Sequence, residues 1–172
     1  MVSSQTVQRP PCVVNESGLA WQEETSPDGR SRFFRKKLAA AAGGREIGCS
    51  LYRIPPHKHS FPRHYHAANE EAIYVLSGAG TLLVGDAEVA LRAGDYAALP
   101  VGPEHVHKVL NDSDQELVFL CFSTMVGPDV VVYPDSGKVG VFAGSAPGGP
   151  EAERVLKKFF PLHAELAYWE GE

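Results

Sequence analysis

An all-β fold, a sandwich or barrel of short strands, is the architecture this sequence predicts, and three observations carry that expectation. Strand-like apolar runs recur at a spacing of about 8–12 residues. Helical periodicity is scarce. Glycine (17 residues) and proline (13) punctuate the chain between the apolar runs. At 172 residues the chain suits one domain with a real core.

The elements follow in order. Residues 1–46 read as an N-terminal extension that packs on the barrel or on a partner. It holds a turn at Ser26-Pro27-Asp28-Gly29 and an alanine-rich stretch closed by Gly43-Gly44. Residues 47–52 alternate as a strand does, and residues 72–76 form a second strand stopped by Ser77-Gly78. Residues 81–84 and 88–91 flank Gly85-Asp86-Ala87, a hairpin signal. After the Gly94-Asp95 turn come a strand at 96–99 and the loop Pro100-Val101-Gly102-Pro103. Residues 105–110 and 116–123 predict a further strand pair around a turn at 111–114. Residues 144–150 read as a flexible loop. Residues 151–160 are the one helix expected, with Val155, Leu156, Phe159 and Phe160 on one side and Pro161 ending it. The organisation expected is an extension (1–46), a barrel core (47–143) and a C-terminal loop with a short helix (144–172).

Composition narrows the function. Hydrophobic residues make up 44% and charged residues 22%, an ordinary globular balance. The net charge is −5, and no Lys/Arg cluster is interleaved with aromatics, which argues against nucleic-acid partners. No apolar run approaches the roughly 20 residues of a membrane span. The N-terminal MVSSQTVQRPPCVV lacks the pattern of a secretion signal. Three cysteines (Cys12, Cys49, Cys121) form no CxxC pair and read as reduced thiols of a cytoplasmic protein, small hydrophobes before reactive groups.

Six of the seven histidines lie between His57 and His107. In FPRHYHAANEEAIYVLSG (residues 61–78), His64 and His66 are two apart, so on an extended chain they share a face. Glu70 and Glu71 follow, of which Glu71 has six residues between it and Gly78. A second block runs from Gly94 through Pro100 and Gly102 to His107 and Asn111. His57 and His59 form another His-x-His, with no glutamate at a matching distance, and read as a solvated loop.

These two blocks, in this order, resemble the two motifs of the cupin superfamily over residues 47–123. The resemblance implies a jelly-roll barrel, or double-stranded β-helix. It also implies a metal site of two histidines and a glutamate from the first motif and one histidine from the second: His64, His66, Glu71 and His107. The Pro-x-Gly-x-x-His spacing of the second motif picks His105, and its His-x-x-x-Asn spacing picks His107. The match of 107–111 and the following strand favours His107, with a loop longer by two residues and His105 as the alternative. Such a nitrogen and oxygen set suits one divalent transition metal, Fe, Mn, Zn, Ni or Co, whose occupancy falls in mild acid.

Residues 123–139 and the terminal Tyr168-Trp169 resemble a subgroup of small bacterial cupins loosely labelled sugar-phosphate-isomerase-like. In that stretch Lys138 follows a tight-turn sequence, Pro134-Asp135-Ser136-Gly137, and the terminal aromatics are expected to pack on the barrel or a partner subunit. The functional expectation is an enzyme, an isomerase, lyase or dioxygenase, acting on a metal-chelated sugar-like or hydroxy-carboxylate molecule. The alternative is a non-catalytic sugar- or carboxylate-binding module. A storage role suits two-barrel chains better, and a homodimer is expected.

Overall fold

A computed structural model describes residues 9–172. In its N-terminal part lie β1 (Gln22–Thr25), β2 (Arg32–Lys37) and a single helical turn, α1 (Leu38–Ala41). Next come β3 (Ile47–Ile54), β4 (Lys58–His59), β5 (Tyr65–His66) and β6 (Glu71–Ser77). They are followed by β7 (Ala79–Val84), β8 (Ala87–Arg92), β9 (Tyr96–Leu99) and β10 (His107–Asn111). The chain ends with β11 (Leu117–Thr124), β12 (Asp129–Tyr133), β13 (Lys138–Ala143) and β14 (Leu156–Pro161).

The strands build a six-stranded sheet, β1-β2-β3-β11-β6-β9, and two four-stranded sheets, β4-β10-β7-β8 and β14-β13-β12-β5. All the strand pairs are antiparallel. The first two sheets face each other across the core. Tyr52, Ile54, Ile73, Val75, Leu117 and Phe119 point in from one, and Leu82, Leu91 and Val109 from the other. In the first set the pairs 52/54, 73/75 and 117/119 are each two residues apart, the period of a half-buried strand. Tyr52 and Phe119, paired in register, stack with centroids 5.3 Å apart. This is the jelly-roll arrangement expected from the sequence.

The strand pair expected around residues 111–114 does not form. β10 pairs with β4 and β7, while β11 pairs with β3 and β6. The fully buried Asn111 explains the crossing. Its Nδ2 donates to the carbonyls of Ile54 (2.8 Å) and Gln115 (2.7 Å), which pins the turn to the end of β3 and sends the chain into the opposite sheet. Gly78 makes the same kind of passage between β6 and β7. It adopts φ +82°, and a Cβ there would lie 2.1 Å from the Glu116 carbonyl oxygen. The hairpin at 81–91 forms as expected, with Val84 opposite Ala87.

The flanking segments add further structure around this core. The segment before residue 47 forms β1 and β2, joined through the Ser26–Gly29 turn, and places Phe33 in the core. Residues 151–160 are not a helix. A single 3₁₀ turn at Glu151–Glu153 leads into β14, which pairs along the whole of β13. A ten-residue helix is marginal by itself, whereas the edge of β13 offers a full ladder of hydrogen bonds, so tertiary pairing overrides the helical period. Phe159 fills the space above Gly140 and meets Phe142 edge-on at 5.8 Å. Residues 144–150 are not a loose linker either. Ser145 and Ala146 are buried, and the Arg154 guanidinium donates to the carbonyls of Ala146, Pro147 and Gly149. Tyr168 and Trp169 do not pack on the barrel and stay largely exposed.

Candidate metal centre

Backbone pairing assembles the histidines. His64 and His107 exchange two backbone hydrogen bonds (3.0 and 2.8 Å), forming an isolated bridge, and two residues later His66 pairs with Val131 of β12. The i, i+2 spacing then turns both His64 and His66 to one side. Glu71 opens β6, and its position in register with Leu99 on one side and Ser123 on the other sends its side chain inward. Glu70, one residue earlier, is exposed.

His64, His66 and Glu71 each offer one ligand atom within 4.8 Å of the others. His107 closes the group from the opposite sheet. Its Nε2 lies 3.2 Å from Glu71 Oε2, and its ring centroid is 4.6 Å from that of His64. His66 Nε2 is 3.6 Å from the same carboxylate oxygen. His105 does not enter the cavity. It ends the 3₁₀ turn Pro103–His105, where strand alternation no longer applies, and its carbonyl accepts from His107 Nδ1.

The outer nitrogen of each imidazole is tied down. Nδ1 of His64 donates to the Pro62 carbonyl (2.8 Å), Nδ1 of His107 to the His105 carbonyl (2.9 Å) and Nδ1 of His66 to the Asp129 carboxylate (2.6 Å). All three partners are acceptors, so Nδ1 carries the hydrogen and a neutral ring presents an Nε2 lone pair. Those lone pairs face a carboxylate at distances that call for a proton or a cation between them. The four donors could hold one metal ion, and their chemistry fits a divalent transition metal.

The electrostatics agree with that geometry. Burial, with the neighbouring His107, pushes His64 down to about 3, so its ring stays neutral. Burial opposes the charge of Glu71, yet the close imidazole of His107 and the nearby His66 and His64 outweigh it and hold the carboxyl at about 2. His66 is raised despite its burial, because Asp129 stabilises the protonated ring.

Asp129 is the residue the sequence motifs do not reveal. It is fully buried, accepts from the Ala68 amide (3.0 Å) and fixes the tautomer of His66. No local spacing links it to His66, 63 residues away. An acidic residue opening a strand beside a His-x-His segment is the only signal, and it acquires meaning once β12 pairs with β5. Tyr133, on the same strand, stacks over His64 at 5.8 Å, and burial pushes its hydroxyl up to about 12.

The donors open into a cavity of about 670 Å³. Ile73, Leu99, Phe119 and Val131 give it apolar walls, and Arg35, Lys37 and Arg154 supply charge. Burial pushes the Cys49 and Cys121 thiols up, which disfavours a thiolate. His57 is exposed and pairs with Asp114 (2.9 Å), His59 lies on β4 outside the cavity, and His163 is exposed. Lys138 follows the expected turn, with Gly137 left-handed at φ +56°, and its ammonium sits over the Tyr133 ring at 4.9 Å.

A single jelly-roll barrel with three imidazoles and one carboxylate converging in its cavity defines a class of proteins, and comparison with known proteins agrees. The cupin domain family matches residues 50–123. That segment carries a cupin domain, in a chain whose fold is of the cupin type. A protein of Acidithiobacillus ferrooxidans, provisionally named a sugar phosphate isomerase, is similar in structure with a TM-score of 0.75. It is 25% identical, over 91% of this chain and 97% of that one. A cupin-superfamily sugar phosphate isomerase from Silicibacter pomeroyi aligns with a TM-score of 0.74 and 23% identity, over 91% and 97% of the two chains. A predicted oxalate decarboxylase from Thermotoga maritima aligns with a TM-score of 0.58 and 21% identity, over 66% of this chain and 99% of that one. No curated protein matches the sequence. No helix among the described residues is long and apolar enough to cross a membrane.

Proposed function

We propose that this cupin is a metal-dependent enzyme of the isomerase, lyase or dioxygenase type. In this reading His64, His66, Glu71 and His107 hold one divalent transition metal, and the substrate is a small sugar-like or hydroxy-carboxylate molecule. The observation that carries the reading is the fixed tautomer of all three imidazoles, each with Nδ1 engaged by an acceptor and Nε2 left for the cavity. The ion, when bound, supplies Lewis acidity toward a chelated oxygen pair, or oxygen chemistry if it is iron.

The chain's own residues do the rest. Asp129 holds the His66 ring in place, and Phe61 and Tyr133 flank His64, so the donors are preorganised. Ile73, Leu99, Phe119 and Val131 exclude water from the inner wall.

A second reading, a non-catalytic sugar- or carboxylate-binding module, draws support from the other carboxylates lining the cavity. Glu24 is tied to Arg35, and Glu151 to Arg154 and Lys157, which leaves neither free as a general base. We also propose a cytoplasmic homodimer formed along β14. This strand is an open sheet edge with all six residues exposed, Phe159 and Phe160 among them, whereas the edge at β1 is polar and charged. Sedimentation at micromolar concentration tests it, and a monomer mass removes it.

The functional test is elemental mass spectrometry on protein purified without a metal column. About one equivalent of transition metal, lost in a His64→Ala/His107→Ala variant, is expected. Absence of metal even after reconstitution overturns the metal-dependent reading. Turnover of a hydroxy-carbonyl panel by the loaded protein separates enzyme from binding module.

A further inference from the structure

We infer that β2 and the segment before β14 form an anion seat at the cavity mouth, built on Lys37 and Arg35, and that the substrate carries a phosphate monoester. This rests on the cavity being the substrate chamber proposed above.

Besides Glu71 and Lys108, the charged groups lining the cavity come from outside the family-matched residues 50–123. From those flanks the cavity receives four cations, Arg35, Lys37, Arg154 and Lys157, and two carboxylates, Glu24 and Glu151. The rim therefore keeps an excess of about two positive charges, close to the charge of a phosphate monoester at neutral pH.

Partnering within the rim is uneven. Arg35 Nη2 donates to Glu24 (2.7 Å), and Arg154 and Lys157 share Glu151 at 3.3 Å each, whereas Lys37 has no ion-pair partner among the described residues. Lys37 is also partly desolvated, and burial together with Arg35 lowers its proton affinity. The Arg35 Nε is buried without an acceptor, as expected where the missing partner is a ligand or ordered water. A half-buried ammonium without a counter-ion, beside a guanidinium with an unused donor, is chemistry suited to an oxyanion.

Register supplies the distance to the metal donors. Lys37 pairs with Ser50, Ser50 with Cys121 and Cys121 with Ile73, so Lys37 and Ile73 share one rung of the six-stranded sheet. Glu71 lies two residues further along β6, on the same face. Three strand spacings separate the backbones by roughly 14 Å. Arg35, two residues away in the other direction, pairs with Tyr52. Long side chains reaching inward from both ends shorten the gap to the span of a small phosphorylated polyhydroxy compound, its phosphate on Lys37 and Arg35 and its far oxygens toward the histidines.

Calorimetric titration of inorganic phosphate into the metal-loaded full chain tests this, with metal content and melting temperature measured on every variant. The wild type is expected to bind phosphate, Lys37→Gln to bind it at least tenfold more weakly and Lys37→Arg to recover most of the loss. Lys158→Gln, on the strand position that faces away from the cavity, is expected to bind as the wild type does, with metal content equal throughout. No binding by the wild type, equal binding by Lys37→Gln or an equal loss in Lys158→Gln overturns the seat. Tighter binding of malonate than of phosphate overturns the phosphate assignment. If Lys37→Gln melts early, Lys157→Gln decides, with a severalfold loss expected and no change fatal to the rim. Phosphate binding without metal removes the metal-dependent function and leaves the seat standing, and metal without phosphate does the reverse.

Discussion

The matched barrel segment, residues 50–123, and the two flanks that wrap it do different work in the same cavity. The segment supplies all four candidate metal donors, from β5, β6, β10 and the bridge residue before β5. The flanks supply Asp129, which orients a donor, and the unbalanced cations Arg35, Lys37, Arg154 and Lys157. A barrel of this kind can thus keep one chemical centre while the strands added around it choose what reaches that centre. The division is what fold-level reasoning leads one to expect, since chemistry resides in sites and not in architecture.

The sharpest way to break this comparison is to strip the segment's donors. Glu71→Ala removes the sole carboxylate of the proposed donor set, and metal affinity is expected to fall by more than the roughly 10–100-fold that a supporting group costs. His105→Ala should leave metal content unchanged, because its ring does not face the donors. Equilibrium dialysis with elemental analysis reads both, and loss of metal in His105→Ala but not in His107→Ala would reverse the assignment of the fourth ligand.

Stability should divide along the same boundary. Leu117, fully buried between the sheets, is expected to cost about 2–5 kcal/mol on change to alanine. Phe160 on β14 is 46% exposed, and its change to alanine is expected to cost less than about 1 kcal/mol. Urea unfolding of both variants checks this. That small cost is the one expected at concentrations where the chain is monomeric, and a larger loss at Phe160 is expected where the proposed dimer covers β14.

Much of this was legible in the sequence, and unequally. The alternation of Ile73 and Val75, the Gly85-Asp86 hairpin and the Gly78 turn are local rules, and they placed the barrel strands. The donors were legible because their spacing is itself local: His64 and His66 share a strand face, and Glu71 opens the next full strand. Where local order failed, long-range pairing had decided. The buried Asn111 diverts β10 and β11 into different sheets. The edge of β13 turns residues 156–161 from an amphipathic helix pattern into a strand. Asp129 and Lys37 carry no sequence signature, because their roles arise from the pairing of β12 with β5 and of β2 with β3.

The flank's hold on the centre can be measured through Asp129. Asp129→Asn keeps size and the possibility of accepting from His66 Nδ1, but it removes the charge that favours a fixed and basic ring. Metal affinity is expected to fall about 10–100-fold with the fold intact. An unchanged affinity would show that the donors are positioned by the barrel alone, and the division of labour would narrow to the cationic rim.

The smallest effect expected, and the most specific to the flank, is the alkaline limb of phosphate binding. Burial and the adjacent Arg35 hold Lys37 below the ordinary 10.5, so it loses its proton at a lower pH than a free lysine. Arg35, Arg154, Glu24 and Glu151 are the charged groups around it, and the phosphate stays dianionic from neutral pH upward. Binding requires the ammonium. It should therefore weaken as pH rises through the lowered value, by about the same tenfold that Lys37→Gln removes, and a Lys37→Gln titration should be flat over that interval. If the wild type instead keeps its affinity until ordinary lysines titrate, Lys37 is not the seat of the anion, and the guanidiniums of Arg35 and Arg154 carry it alone.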